Sequence, residues 1–363
     1  MPVQNCTLSI QAPVTVMTLP TTYLSALIVA LAGLVCLGSW INTLKLAGKW
    51  RYELYYYDFA IGAMVLSVAA ALTLGTLGAD GFVFMDDLMR AGRRHMAAGA
   101  AAGVVFNLGN MLLVASTTLI GMVLAFPIGM SIALLVASII GYLAEPQGNR
   151  TLLSVALFFL LAGLVFGVLA HRSLSLAREI QKMKAGEHRT LSPRIAWKGV
   201  ILAVIAGVPL GAFNPLTRYA SAGDAGIGPY SLLVMFCGGV AFSTFVFNLY
   251  LMNLPVEGRP IEILEYFRGS KSSHLWGWLG GATWAAGMLA FLVAGGATEE
   301  TQLADNLRFV LMQAAPLLAA LWGLAAWREF RGGDVRSYTF AFLMLLFIAG
   351  TLVLLWLAGF SAF

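Results

Sequence analysis

Apolar windows of about 20 residues, the length that crosses roughly 30 Å of hydrocarbon as a helix, recur along the whole chain with only short polar breaks between them. Ten such windows are read, at 21–44, 57–79, 96–116, 119–143, 151–171, 196–218, 229–252, 274–296, 304–326 and 338–360. In lipid each backbone polar group needs a partner from within the protein, so windows of this length read as helices. With 60% hydrophobic and 11% charged residues, no stretch is left for a soluble domain. The expected class is an all-α integral membrane protein with ten transmembrane helices, multi-pass in the cell (inner or plasma) membrane, with the lipid bilayer as its surroundings.

The longest charged break runs from Arg172 to Arg194, between the fifth and sixth windows. It divides the chain into an N-terminal segment 1–20, a five-helix unit 21–171, a linker 172–194 and a second five-helix unit 195–363. Breaks after odd-numbered windows, counted with Lys198 at the very start of the sixth window, hold sixteen of the 22 Lys and Arg residues. By the positive-inside rule those breaks face the cytoplasm and both termini lie outside it. The net charge of +5 reflects this bias, and nothing supports nucleic-acid binding.

Within this frame the segment Leu37-Gly38-Ser39-Trp40-Ile41-Asn42-Thr43-Leu44-Lys45 is echoed by Leu210-Gly211-Ala212-Phe213-Asn214-Pro215-Leu216-Thr217-Arg218. Each copy ends an apolar window, and an odd number of crossings separates them, as in a transporter built from two inverted repeats. Trp40 with Asn42, and Phe213 with Asn214, then occupy matching places and supply an inner and an outer rim to one central pocket. Pro127 and Pro316, in the fourth and ninth windows, are expected to kink or gate their helices.

No Asp, Glu, Lys or Arg falls near the middle of any window, so a charged cargo held at mid-depth would lack a counter-ion. A small neutral solute is expected, held by hydrogen bonds and ring stacking. Asn107 and Asn110 share a helix face, Trp284 stands in a Gly-rich run, and Gln313 points a carboxamide inward one turn before Pro316. Trp322 joins the aromatic set, whereas Trp276, Trp278 and Trp356 read as interfacial anchors. The expected pocket is lined by the first, third, fourth, sixth, eighth and ninth windows, with the fifth and tenth peripheral. Asp58 and Glu145, at window ends, are candidates for coupling to a proton. Cys6, Cys36 and Cys237 have no paired spacing, and His95, His171, His188 and His274 sit at window ends or in loops, so no metal site and no cofactor are indicated.

The runs Leu37-Gly38-Ser39-Trp40, Tyr56-Tyr57-Asp58, Ala71-Leu72-Thr73-Leu74-Gly75 and Gly103-Val104-Val105-Phe106-Asn107-Leu108-Gly109-Asn110 resemble the first three helices of the ureide permeases. Ile140-Gly141-Tyr142-Leu143 extends the likeness, and Gln313-Ala314-Ala315-Pro316-Leu317, Trp322-Gly323 and Glu329-Phe330-Arg331 resemble the ninth helix and its following loop. The resemblance implies the drug/metabolite transporter fold, shared with glucose/ribose porters and the rhamnose–proton symporter. It also implies a secondary carrier of ureides such as allantoin, nucleobases such as uracil, or related heterocycles, by alternating access. The run Gly121-Met122-Val123-Leu124-Ala125-Phe126-Pro127-Ile128-Gly129 departs toward the sugar-porter pattern and lacks an expected carboxylate, and the long nucleotide-motif-like central loop of plant members is absent. A monosaccharide transporter of the same fold is therefore the alternative. A non-transporting scaffold or sensor is a distant one, and an enzyme is not indicated because no nucleophile, base or metal cluster converges at depth. The carrier is expected to act as a monomer or homodimer.

Overall fold

A computed structural model describes residues 18–77, 83–184, 197–296 and 303–361. Most of the N-terminal segment, with Cys6, and residues 185–194 of the linker, with His188, lie outside the described residues. Ten helical spans are long and apolar enough to cross a membrane, and there is no strand among the described residues. They run Tyr23–Leu46, Tyr52–Leu72, Arg93–Ile120, Met122–Ala144, Arg150–Lys184, Trp197–Ser221, Pro229–Asn253, Lys271–Gly295, Asp305–Ala325 and Val335–Leu357.

Two boundaries differ from the expectation for a physical reason. The second span begins at Tyr52, five residues before the apolar window, because Tyr52 to Tyr57 are buried between neighbouring helices and need not be hydropathic to lie at depth. The fifth span continues as helix to Lys184, so the first part of the expected linker is an extension of that span.

Local chemistry sets several ends. Thr22 caps the first span in a capping box with Ser25, Ser270 caps the eighth, and Asp334 caps the tenth by accepting from the Ser337 N–H at 2.9 Å. The third and fourth spans are joined by Gly121 alone, at φ 79° and ψ 164°, a conformation that residues with a Cβ avoid.

Three spans are interrupted. The first breaks between Tyr23–Ser39 and Asn42–Leu46, the sixth between Trp197–Ala212 and Asn214–Ser221, and the ninth between Asp305–Gln313 and Ala315–Ala325. Pro215 and Pro316 open the second pieces of the sixth and ninth, where a missing N–H costs nothing. Pro127 behaves otherwise than its expected partner Pro316. It lies inside the unbroken helix Met122–Ala144.

Packing follows a regular pattern. The second span lies on the eighth as the third lies on the seventh; the third lies on the sixth as the eighth lies on the first; the fourth lies on the sixth as the ninth lies on the first. The fifth and tenth pack on each other and are the least buried of the ten, the peripheral place expected for them. Lipid tails offer no hydrophobic gain for pairing helices, so close backbone approach matters more here than in water. A Cβ at Gly281 would meet the backbone of Phe59 and Ala63 on the second span. The absence of a side chain at Gly281 thus seats the eighth span on the second.

Hydrogen bonds sort the connections into two ends. Arg51 reaches the carbonyls of Glu257 and Arg259, Lys198 that of Val256, and Arg178 that of Glu329. This is the cation-rich end. At the opposite end Arg90 donates to the Gly226 carbonyl at 2.7 Å, Arg218 pairs with Glu145, and Asn306 donates to the Trp356 carbonyl at 3.1 Å.

Candidate functional site

The breaks converge on one place. Trp40 stands at the break in the first span, Phe213 and Asn214 at that in the sixth, and Gln313, Ala315 and Pro316 at that in the ninth. These side chains meet Asn110, Phe106, Phe126 and Trp284 around a cavity of about 70 Å³, to which all six expected spans contribute. Interrupted helices meeting between spans are a recurrent way of building a substrate site inside a membrane, because loosened backbone is tolerated only where protein or a cavity surrounds it.

The walls are mainly rings. Phe106 stacks on Trp284 with centroids 4.9 Å apart, Phe213 meets Phe106 edge-on at 5.5 Å, and Trp40 lies 4.9 Å from Phe59 and 6.2 Å from Phe126. The polar groups are three carboxamides. Asn110 donates to the Tyr56 hydroxyl at 2.8 Å, which fixes the amide and leaves its carbonyl directed elsewhere. Among the described residues the buried carbonyl oxygen of Asn214 has no hydrogen-bond partner, and Gln313 is 7% exposed. An unpartnered buried amide oxygen is costly, and a ligand N–H would remove that cost. At about 70 Å³ the cavity is far below the several hundred that usually hold a small organic ligand, so the rings must part to admit one.

Two larger concavities lie elsewhere. One of about 430 Å³ is an apolar crevice between the fourth, fifth and tenth spans, and one of about 380 Å³ lies among Lys45, Trp50, Arg51 and Glu257 at the cation-rich end. Neither gathers carboxamides and rings from the broken helices.

Several expected site residues fall outside the cavity. Asn107 turns to the seventh span, where its amide donates to Ser243 at 2.8 Å, Thr244 at 3.1 Å and the Val240 carbonyl at 3.2 Å. Asn42 follows Trp40 by two residues whereas Asn214 follows Phe213 by one, and that extra 100° of helix rotation takes Asn42 off the cavity. It donates to the Ser39 carbonyl at 2.8 Å and accepts from Trp327 at 2.6 Å. Trp322 donates to Ser39 at 2.9 Å and is 40% exposed. Phe106 and Phe126 are wall residues that sequence reasoning missed; Phe106 precedes Asn110 by one helical turn and shares its face, a usable signal.

Asp58 lies two turns inside the second span rather than at its start, and it is buried. It accepts from Tyr266 at 2.6 Å, His274 at 2.9 Å and Trp278 at 3.2 Å, so His274 and Trp278 are its partners rather than solvated or purely interfacial groups. Burial first, and then the adjacent Asp58 carboxylate, push the Tyr266 hydroxyl above its ordinary pKa. Glu145 is exposed beside Arg218, whose hydrogen bond holds the carboxyl below its usual range.

Fold and cavity together define a ten-span all-α membrane protein with a ring-walled, carboxamide-bearing cleft among three broken helices. Compared with curated proteins, the chain is 23% identical to Ureide permease 1 of Arabidopsis thaliana over 381 residues, covering 91% of this chain and 96% of that protein. Ureide permease 2 of the same plant is 22% identical with the same coverage, and Ureide permease 4 is 21% identical over 90% of this chain and 95% of its own. No family model matches the chain. A solved structure described only as "Crystal structure of protein" aligns at 15% identity with a TM-score of 0.48, over 92% of this chain and 96% of the other. Over nearly its full length the chain is ureide permease-like.

Proposed function

We propose that the protein is a secondary transporter that moves a small neutral ureide such as allantoin across the membrane by alternating access, with nucleobases such as uracil the nearest related cargo. The observation that carries this reading is the meeting of Asn110, Asn214 and Gln313 with five aromatic rings where the breaks of three spans converge. Carboxamides pair in both directions with a cargo made of N–H and C=O groups, and rings stack on its flat faces. The curated relatives are permeases rather than enzymes, in keeping with a site that holds and releases its cargo unchanged. A monosaccharide would want hydroxyl partners all round, and this wall is mostly ring and methyl surface.

The packing pattern supports two inverted five-helix repeats. Exchanging each span for the one five places on maps every packing pair named above onto another pair or onto itself. In this reading residues 21–171 and 195–363 are the repeats, the cation-rich end faces the cytoplasm, and both termini face away from it. Asp58, in its cage of three donors, is the better placed of the two candidates for a coupling proton, because Glu145 is engaged at the surface.

Counterflow uptake of labelled allantoin, uracil and glucose into proteoliposomes tests the proposal. Allantoin should accumulate, uracil less so, and glucose not at all. Glucose uptake with no allantoin uptake would overturn the cargo, and loss of labelled material to a new compound would overturn transport.

A further inference from the structure

Two ion pairs repeat one design at opposite ends of the molecule. Lys45 rides on Asn42–Leu46, the short helix after the break in the first span, and pairs with Glu329 at 2.8 Å, just past the ninth span. Arg218 rides on Asn214–Ser221, the short helix after the break in the sixth span, and pairs with Glu145, which caps the fourth. In the echoed segments Lys45 and Arg218 hold the same register, each five residues after the ring, Trp40 or Phe213, that enters the cavity wall. Each cation is therefore tied by about one and a half helical turns to a ring that must move when a solute enters.

We infer that Lys45–Glu329 and Arg218–Glu145 are reciprocal latches, the first holding the cavity shut toward the cation-rich end and the second toward the opposite end. This inference rests on the alternating-access reading above. An uncharged cargo needs no ion at the site, and both pairs stand away from the cavity at the ends of the helices that wall it.

The latches are unequal in this structure. The Glu329 side chain is 10% exposed and also accepts the Val123 N–H at 3.0 Å in the first turn of the fourth span, where the helix dipole favours a carboxylate. Arg218 and Glu145 are 49% and 47% exposed, and an ion pair so open to water is weak. The cation-rich end is thus the more firmly closed, and the opposite end opens more readily.

Accessibility of a reporter cysteine tests this without any transported solute. In a background with Cys6, Cys36 and Cys237 changed to Ser, Met288→Cys places a thiol in the cavity wall, and a control cysteine at Arg336 identifies the cation-rich face. Reaction with a membrane-impermeant cationic methanethiosulfonate is followed from each side of sealed vesicles. Glu329→Gln should speed labelling from the cation-rich side by about tenfold and slow it from the other, while Arg218→Gln should do the reverse by about two- to fivefold. Lys45→Gln, which removes only the ion pair and leaves Glu329 on the Val123 N–H, should shift the rates in the same directions and serves if the Glu329 variant does not assemble. Unchanged rates, or both variants opening the same side, would overturn the latches. Shifted accessibility in a protein that carries none of the tested solutes would uphold the latches and overturn the cargo instead.

Discussion

The indole of Trp284 on the eighth span lies over the ring of Phe106 on the third, centroids 4.9 Å apart and planes inclined by 28°. Offset stacks of this kind contribute about 0.5–1.5 kcal/mol beyond their buried area. A flat solute entering the cleft competes with this ring contact for the same faces, so the pair sets both the closed shape of the cavity and the surface a solute would use.

Trp284→Phe keeps a ring and most of the packing, whereas Trp284→Ala would leave a large void worth about 3–5 kcal/mol in stability. The phenylalanine variant is expected to reach the membrane folded, with KM for allantoin raised about three- to tenfold. Counterflow kinetics at several concentrations would show it, and an unchanged KM would remove Trp284 from the binding surface.

Asn110 and Asn107 should separate cleanly. Asn110→Leu removes a carboxamide from the cleft and leaves the Tyr56 hydroxyl without its donor, so uptake should fall at least about tenfold in a protein that remains folded. Asn107→Ala removes hydrogen bonds between the third and seventh spans, each worth about 0.5–2 kcal/mol in a membrane. Its expected result is a lowered Tm with KM unchanged. Thermal unfolding in detergent, read beside uptake, distinguishes the two.

Gly121→Ala places a Cβ in a backbone conformation that costs a non-glycine residue about 1–3 kcal/mol. The added carbon would also press on the Glu329 carboxylate. The variant should be less stable by that amount and should disturb Glu329, which makes it a second way of loosening the cation-rich end. Normal stability would mean that the third and fourth spans can be joined in another way.

Asp334 caps the tenth span and also accepts from the Ser337 hydroxyl at 2.5 Å and the Ser173 hydroxyl at 3.0 Å; the bonds from Ser337, and then that from Ser173, hold its carboxyl below the usual aspartate range. A lowered folded-state pKa stabilises the fold above the ordinary aspartate value and ceases to do so as pH falls through the lowered one. Asp334→Ala should therefore cost about 1 kcal/mol near neutral pH. The difference from the parent should vanish in strong acid, and a difference that grew on acidification would contradict the assignment.

The ten spans were legible because a bilayer imposes length and hydropathy on any helix that crosses it. The cavity rims at Trp40 and Phe213 were legible through the echo, since the same local sequence breaks a helix in the same way at both places. Phe106, Asn107 and Asn110 show where that reading stops. They lie within four residues of one another on the third span, yet a rotation of about 100° per residue decides which of them meets the cavity and which meets the seventh span.

Asp58 shows the same limit from another side. Hydropathy placed it at a helix end, whereas burial of Tyr52 to Tyr57 against other spans carries the second helix past it and encloses its carboxylate among Tyr266, His274 and Trp278. The chain's own pattern determined how many helices form and roughly where each one crosses. Which face of each helix closes on the cleft, and which carboxylate meets which cation, depended on neighbours distant in the chain, 73 residues apart for Arg218 and Glu145. Contacts of that kind belong to the packed bundle, because periodicity along one helix holds no record of what stands beside it.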